Sequence, residues 1–186
     1  MKRLGWILLV AGCSSAPSQQ PTDQEREIRR AFEAWCAHIV AGRVEEVYRG
    51  MSVMMISEWL YLRLGDAEEP VMRKFRSQLA QDAGEEIDVW YVTNKSRNAD
   101  RATPLPIVVL NHPALYQCFA TYFEPLRERM KHEFSRVEVA QVYADVTGAT
   151  VVVRNKAFGG NDRYMMVYEG GWKVDHHAEP GALLAK

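Results

Sequence analysis

The C-terminal third of the chain, 136-RVEVAQVYADVTGATVVVRNKAFGGNDRYMMVYEGGWKVDHH-177, decides the fold class. It contains runs rich in β-forming residues at 136–146, 149–157, 163–169 and 172–177, separated by short connections that carry glycine. Connections this short join only antiparallel neighbours, because a parallel pair needs a crossover of about a dozen residues or more. The sequence therefore predicts an antiparallel meander.

Amphipathic helices are predicted along most of the chain before this meander, because apolar side chains recur there at three- and four-residue steps. The segment Thr22-Asp23-Gln24-Glu25 predicts a capping box at the start of the first helix, which Gly42 ends. Pro125 should split the last helix, since a proline ring removes a backbone donor and clashes with the preceding turn. Further helices are expected at 44–51, 54–64, 66–84 and 113–130.

Two segments in the middle of the chain have the composition of strands instead. Residues 86–93 are rich in β-forming types, and residues 105–110 are a short apolar run bounded by Asn111. Helices first and a meander last predict an α+β protein, with the helices packed on one face of a curved antiparallel sheet and a long helical middle segment. We expect a single α+β domain at 22–186, because no internal repeat or second hydrophobic block divides it.

The first thirteen residues, MKRLGWILLVAGC, have the layout of a signal peptide, with two cations followed by an apolar run that ends at Cys13. The run stops at about half of the roughly 20 apolar residues that a transmembrane helix needs. Val10-Ala11-Gly12-Cys13 resembles the lipobox of bacterial lipoproteins. This resemblance implies removal of a signal peptide at 1–12, acylation of Cys13, and anchoring of the mature protein to a lipid bilayer through its acyl chains.

The residues after the lipobox predict where the anchored protein lies. The Ser/Gln/Pro-rich stretch at 13–21 is expected to be the lipidated cysteine and a flexible tether. In lipoproteins of this pattern, Ser14 rather than an acidic residue implies transport to the outer membrane, so the expected location is the bacterial cell envelope, facing the periplasm. Loss of Lys2 and Arg3 with the leader changes the formal net charge from −1 to −3. That charge gives no basic patch, so no nucleic-acid partner is expected.

Two further cysteines, Cys36 and Cys118, each lie on an apolar helical stripe. An oxidising periplasm permits disulfides, so two alternatives are open: a bridge between Cys36 and Cys118, or two buried and inert thiols. A catalytic thiol is disfavoured, because neither cysteine has the cationic neighbours that lower a thiol pKa.

Two segments, AFEAWCAHIVAGRVEEVYRGMS at 31–52 and EGGWKV at 169–174, carry a second resemblance. They are similar to the first helices and the last hairpin of the nuclear transport factor 2-like superfamily, whose SnoaL-like and ketosteroid-isomerase-like members fold as a cone. The resemblance implies that fold, with a middle segment at 66–136 that is longer and more helical than in a minimal member. The superfamily contains isomerases, dehydratases, hydrolases and proteins that only bind, so it implies no single reaction.

Candidate site residues lie near the end of the meander. Strand alternation predicts that His176 shares a face with Trp172 and Val174, and a cavity there would also include Tyr143 and Asp145. The alternative is a solvent-exposed histidine at a strand end. A phosphate loop, a CxxC pair, a His-x-x-x-His pair and a Gly-x-Ser-x-Gly elbow are all missing from the sequence. We therefore predict no catalytic residue, no metal site and no cofactor.

Two classes of function remain open. The first is a non-catalytic envelope lipoprotein whose cone domain binds a small apolar ligand or an envelope protein, and the missing acid/base constellation favours it. The second is a small-molecule isomerase or hydrolase that uses a cavity His or Asp. A deep cavity with at least two converging ionisable groups would favour the enzyme, whereas an interior plugged by Met and Tyr side chains would favour the binding protein.

Overall fold

The computed structural model describes residues 22–64, 69–96, 103–156 and 159–177, so the predicted leader and tether, including Cys13, lie outside the described residues. The helices are α1 (Asp23–Val40), α2 (Val44–Arg49), α3 (Val53–Leu64), α4 (Pro70–Leu79), α5 (Gly84–Ser96), α6 (Ile107–Leu110), α7 (Pro113–Phe123) and α8 (Arg127–Phe134). The strands are β1 (Val137–Ala144), β2 (Ala149–Asn155), β3 (Gly160–Tyr168) and β4 (Trp172–His177). The predicted α+β class is confirmed.

The predicted meander is confirmed as an antiparallel sheet with the strand order β1-β2-β3-β4 within the described part of the chain. Val142 pairs with Val151, which in turn pairs with Tyr164, and all three are buried on the face that receives the helices. Because every neighbouring pair is antiparallel, the β1–β2 and β3–β4 turns lie at one end of the sheet. The β2–β3 turn lies at the opposite end.

The first helix forms as its sequence predicts. The Thr22 hydroxyl accepts a hydrogen bond from the Glu25 N–H at 3.1 Å, and the Glu25 carboxylate accepts one from the Thr22 N–H at 2.7 Å, which completes the capping box. Its buried face packs on the sheet through Phe32, whose ring centroid is 4.9 Å from that of Tyr164. The predicted split at Pro125 is also confirmed, since a short 3-10 turn at Glu124–Leu126 separates α7 from α8.

The two strands predicted in the middle of the chain are wrong. Residues 86–93 lie in α5, and residues 107–110 form the single turn of α6. The cause is the spacing of the residues that become buried, because Ala83, Ile87, Trp90 and Asn94 follow one another at steps of three and four. Burial of this helical stripe outweighs the weak strand preference of the β-branched and aromatic residues between them.

A short parallel contact ties the helices to the last strand. The Val174 N–H donates to the Gly50 carbonyl at 2.9 Å, and the Ser52 N–H donates to the Val174 carbonyl at 2.8 Å. A bulge shifts the register of β4 beside this contact, and it leaves the consecutive residues Val174 and Asp175 both buried. The Ser52 hydroxyl donates to Asp175 Oδ1 at 2.6 Å and accepts from the Met55 N–H at 2.9 Å, so Ser52 caps α3 and holds the buried carboxylate.

Cys36 and Cys118 are buried and free, so no disulfide joins them in this structure. Cys118 lies against Met72, with 3.8 Å between the two sulfur atoms, whereas Cys36 lies on α1 beside the β1 edge of the sheet. Burial raises the pKa of the Cys118 thiol to about 12, and it raises the pKa of Cys36 as well. Both groups are therefore protonated thiols at physiological pH.

Replacing Ser52 by Ala should lower the free energy of unfolding by about 1 to 3 kcal/mol, because α3 loses its cap and the Asp175 carboxylate loses a donor. Urea denaturation of Ser52→Ala, Asp175→Asn and the double variant measures this as a cycle, and a coupling of about 0.5 to 3 kcal/mol is expected. Ser135→Ala is the control, since Ser135 is exposed, and its cost should stay within about 0.5 kcal/mol. Additive effects in the cycle would contradict the contact.

Both buried thiols should resist alkylation in the folded protein, because the reagent needs an exposed thiolate. In a Cys13→Ser chain treated with iodoacetamide at mildly alkaline pH, mass spectrometry should find no adduct before unfolding and adducts on Cys36 and Cys118 after unfolding in urea without reductant. Adducts that appear only after reduction would show a disulfide and contradict the structure. Rapid labelling of the native chain would contradict the burial of the thiols.

Candidate functional site

Aromatic and methionine side chains fill the interior of the helical layer. Where α1, α2, α3, α7 and α8 meet, the enclosed space is only about 10 Å³. Its walls include three methionines and three aromatic residues, namely Met51, Met55, Met130, Trp35, Phe119 and Phe123. A space of about 10 to 15 Å³ holds one water molecule at most, so this part of the described interior has no room for a small-molecule substrate.

Two of the ionisable groups that reach the interior are phenols that stay protonated. Burial raises the pKa of Tyr48 to about 12, and its hydroxyl is buried without a hydrogen-bond partner. Burial also raises the pKa of Tyr164, whose ring packs between Phe32 and Phe134. A phenol with a raised pKa is a poor general base near neutral pH.

A polar cluster that the sequence did not indicate joins α3, α4 and α7. The Tyr122 hydroxyl donates to the Glu69 carboxylate, and the Arg63 guanidinium carbon lies 5.1 Å from the centre of the Tyr122 ring. Burial, followed by the hydrogen bond to Glu69, raises the pKa of Tyr122. These contacts hold three helix segments together, and the phenol again stays protonated.

Two of the predicted cavity residues, Trp172 and Asp145, line one groove of about 420 Å³ at the turn end of the sheet. This groove is open, and the first turns of α1 form its other wall through Gln24 and Glu27. The Asp145 carboxylate accepts hydrogen bonds from the Thr147 hydroxyl at 2.6 Å and from the Thr147 N–H at 2.7 Å, and these bonds lower its pKa. Asp145 is therefore an ionised residue that shapes the β1–β2 turn.

The prediction that Tyr143 shares a cavity with Trp172 is wrong. Val142 is buried toward the helices, so the alternation of the strand places Tyr143 on the opposite face, where it is 53% exposed. The backbone of His176 pairs with Met165, but the side chain of His176 lies outside the described part of the structure. The bulge beside Asp175 interrupts the strict alternation on which the predicted orientation of His176 depended.

A second open groove, of about 610 Å³, lies between α1 and β1. Arg29 crosses it and donates from Nη1 to the Val139 carbonyl at 2.8 Å, beside the bulge in β1. Its guanidinium also lies 3.8 Å from the Glu33 carboxylate. Arg29 thus satisfies a carbonyl at the edge of the sheet, and this groove combines charged and apolar side chains.

A third groove, of about 460 Å³, lies between α5 and the segment that leads into α6. Trp90, Val89 and Pro106 supply its apolar wall. The indole of Trp90 is fixed, since Nε1 donates to the Thr103 carbonyl at 2.9 Å. Exposed apolar side chains continue beyond the groove, with Val92 64% and Ile107 75% exposed. We call this the α5–α6 groove, and it is the most apolar open surface among the three grooves described.

Among the described residues, no group of three or more His, Cys, Asp or Glu side chains is placed to hold a metal ion. Within the same residues, no helix combines the length and the apolar character needed to cross a bilayer.

The chain matches no known protein family, no curated protein and no solved structure with which it was compared.

Proposed function

We propose that this protein is a bacterial envelope lipoprotein, held at the outer membrane by acyl chains on Cys13 and facing the periplasm, whose domain binds a partner and catalyses no reaction. The signal-peptide layout and the lipobox-like Val10-Ala11-Gly12-Cys13 support the anchor. We also propose that the domain folds as a nuclear transport factor 2-like cone. It is supported by a capped first helix, a short second helix leading to Ser52, and Trp172 at the start of the last strand.

The filled interior is the observation that carries the non-catalytic assignment. An enzyme of the cone type needs a cavity in which a carboxylate or histidine meets a second ionisable group. Where five helices meet in the described part of this chain, methionine and aromatic side chains leave about 10 Å³. The alternative, an isomerase or hydrolase that uses a cavity His or Asp, has less support because Asp145 is held in an exposed turn.

The open grooves are much larger than the space between the helices, and among the grooves described the α5–α6 groove fits an apolar ligand best. Its volume of about 460 Å³ is within the usual range for ligand sites, about 300 to 1,000 Å³. Its wall is preorganised by Asn94, whose amide donates to the Trp90 carbonyl at 2.8 Å and whose oxygen accepts from the Thr103 N–H at 2.6 Å. We propose that a small apolar ligand, or an apolar segment of an envelope protein, binds in this groove.

Replacing Cys13 by Ser should move the protein from the membrane fraction to the soluble fraction, because the acyl chains supply the membrane affinity. Cell fractionation and intact mass measure the change, and the wild-type mass should include the acyl groups. Serine substitution at the buried Cys118 is the matched control and should leave the protein in the membrane. A Cys13→Ser protein that stays in the membrane at the mass of the processed wild type would contradict the anchor.

Replacing Val89 by Lys should abolish complementation of a deletion strain without lowering thermal stability, because Val89 is 61% exposed and the lysine adds charge to the apolar wall of the groove. Tyr143→Lys is the control and should complement, because it also adds a lysine at an exposed position but lies on the sheet face that points away from the helices. His176→Ala and Asp145→Asn should also complement. Loss of function in either of these two at unchanged stability would favour the enzyme, and full activity of Val89→Lys would exclude the groove.

A further inference from the structure

Apolar side chains cluster at the end of the sheet where the β1–β2 and β3–β4 turns lie. Val146 is fully exposed and Tyr168 is 64% exposed, and the Trp172 ring packs edge-on against Tyr168 at a centroid distance of 5.7 Å. We call these three residues the hairpin-tip surface. Trp172 is half-buried against the core, so Val146 and Tyr168 supply most of the exposed apolar area. Contiguous exposed apolar surface often marks an interaction site.

The chain enters the domain at this same end of the sheet. Gln24 and Glu27, in the first turns of α1, line one groove with Trp172 and Tyr168. The α-carbon of Thr22 is nine residues from that of Cys13, which is a reach of at most about 30 Å in a fully extended chain. In a flexible tether the average separation is about half of that. An acyl anchor on Cys13 therefore keeps the hairpin-tip surface near the bilayer.

We infer that the hairpin-tip surface contacts the interface of the zwitterionic lipid bilayer in which Cys13 is anchored. This inference rests on the proposed function, because the anchor brings the two surfaces together. Trp and Tyr are the side chains that favour the membrane interface, since each combines a large apolar ring with one polar group. Val146, at the apex of the neighbouring turn, adds an apolar group that can enter the headgroup region.

The charges around the hairpin-tip surface favour a zwitterionic membrane over an anionic one. Glu27 and Asp145 line the groove beside it, and Glu169 follows Tyr168 in the β3–β4 turn. The nearest cation on β4, Lys173, donates its ammonium to the Arg49 carbonyl and belongs to the joint between α2 and the sheet. Carboxylates at this end of the molecule would be repelled by an anionic lipid surface.

The contact needs little affinity of its own. Once Cys13 is inserted, the tether turns binding of the hairpin-tip surface into an intramolecular step with an effective concentration of the order of millimolar. Three apolar side chains then suffice to bias the orientation of the domain, although they would not hold it on a membrane without the anchor. The expected consequence is a preferred orientation in which the turn end of the sheet faces the bilayer.

The inference is tested on the full-length lipidated protein in vesicles of zwitterionic phosphatidylcholine, with an environment-sensitive NBD fluorophore on Val146→Cys. The matched control carries the label on Asn161→Cys, which is exposed at the opposite end of the sheet, seven strand residues or about 23 Å from Tyr168. In the lipidated protein the Cys13 thiol is acylated, and the thiols of Cys36 and Cys118 are buried, so the reagent labels only the introduced cysteine. Vesicles with a spin-labelled acyl chain report whether lipid touches the fluorophore.

Support would be a blue-shifted emission at position 146 that spin-labelled lipid quenches, with no shift or quenching at position 161. Tyr168→Ser should reduce the quenching at position 146, and anionic lipid should reduce it further. Equal signals at the two positions, no signal at either, or a blue shift that lipid does not quench would overturn the inference. The last result would mean that protein, rather than lipid, surrounds the fluorophore.

Intact mass separates the two proposals. Acylated protein without quenching at position 146 overturns the membrane contact and leaves the lipoprotein assignment standing. Protein that carries no acyl group overturns both.

Discussion

The parallel contact between Gly50–Ser52 and Val174 is the constraint on which the arrangement of the helices depends. Without it, β4 would be an edge strand whose outer backbone groups are buried without partners, which is costly. Its two backbone hydrogen bonds, at 2.9 and 2.8 Å, fix the end of α2 and the start of α3 against the sheet. The packing of α3 then places α7 through Trp59 and Phe119, whose ring centroids are 5.3 Å apart.

Gly50 makes this joint compatible with the packing of α1. A Cβ atom at position 50 would lie 2.4 Å from Cδ1 of Trp35, which is closer than any real contact. The indole of Trp35 uses that space and donates from Nε1 to the Val47 carbonyl at 3.1 Å. The backbone and the ring are therefore closely packed at this joint.

The fold class and the sheet could be predicted from sequence because their signals are local. Glycine turns and alternating β-formers specify the meander, and the capping box and Pro125 specify helix boundaries.

The segment 86–93 could not be assigned in this way, since its composition favours a strand and its helix is set by tertiary burial of Ile87 and Trp90. The face of His176 was also beyond the sequence, because a one-residue bulge changes the alternation and leaves no mark in composition. The Ser52–Asp175 bond joins residues 123 positions apart, and a pattern search within one segment does not detect it.

The two proposed interaction surfaces lie near different points along α3, so both can be occupied at the same time. At its first residue, the Val53 N–H donates to the Glu169 carboxylate at 3.1 Å, so α3 begins beside the β3–β4 turn. Tyr61 lies eight residues further, which is about 12 Å along the helix axis, and its ring packs edge-on against Trp90 in the wall of the α5–α6 groove. Because α3 is a rigid connection, any orientation that the bilayer imposes on the turn end of the sheet is transmitted to the groove. A tether alone would leave the groove free to face in any direction, whereas a contact at Val146, Tyr168 and Trp172 gives it a defined position relative to the membrane.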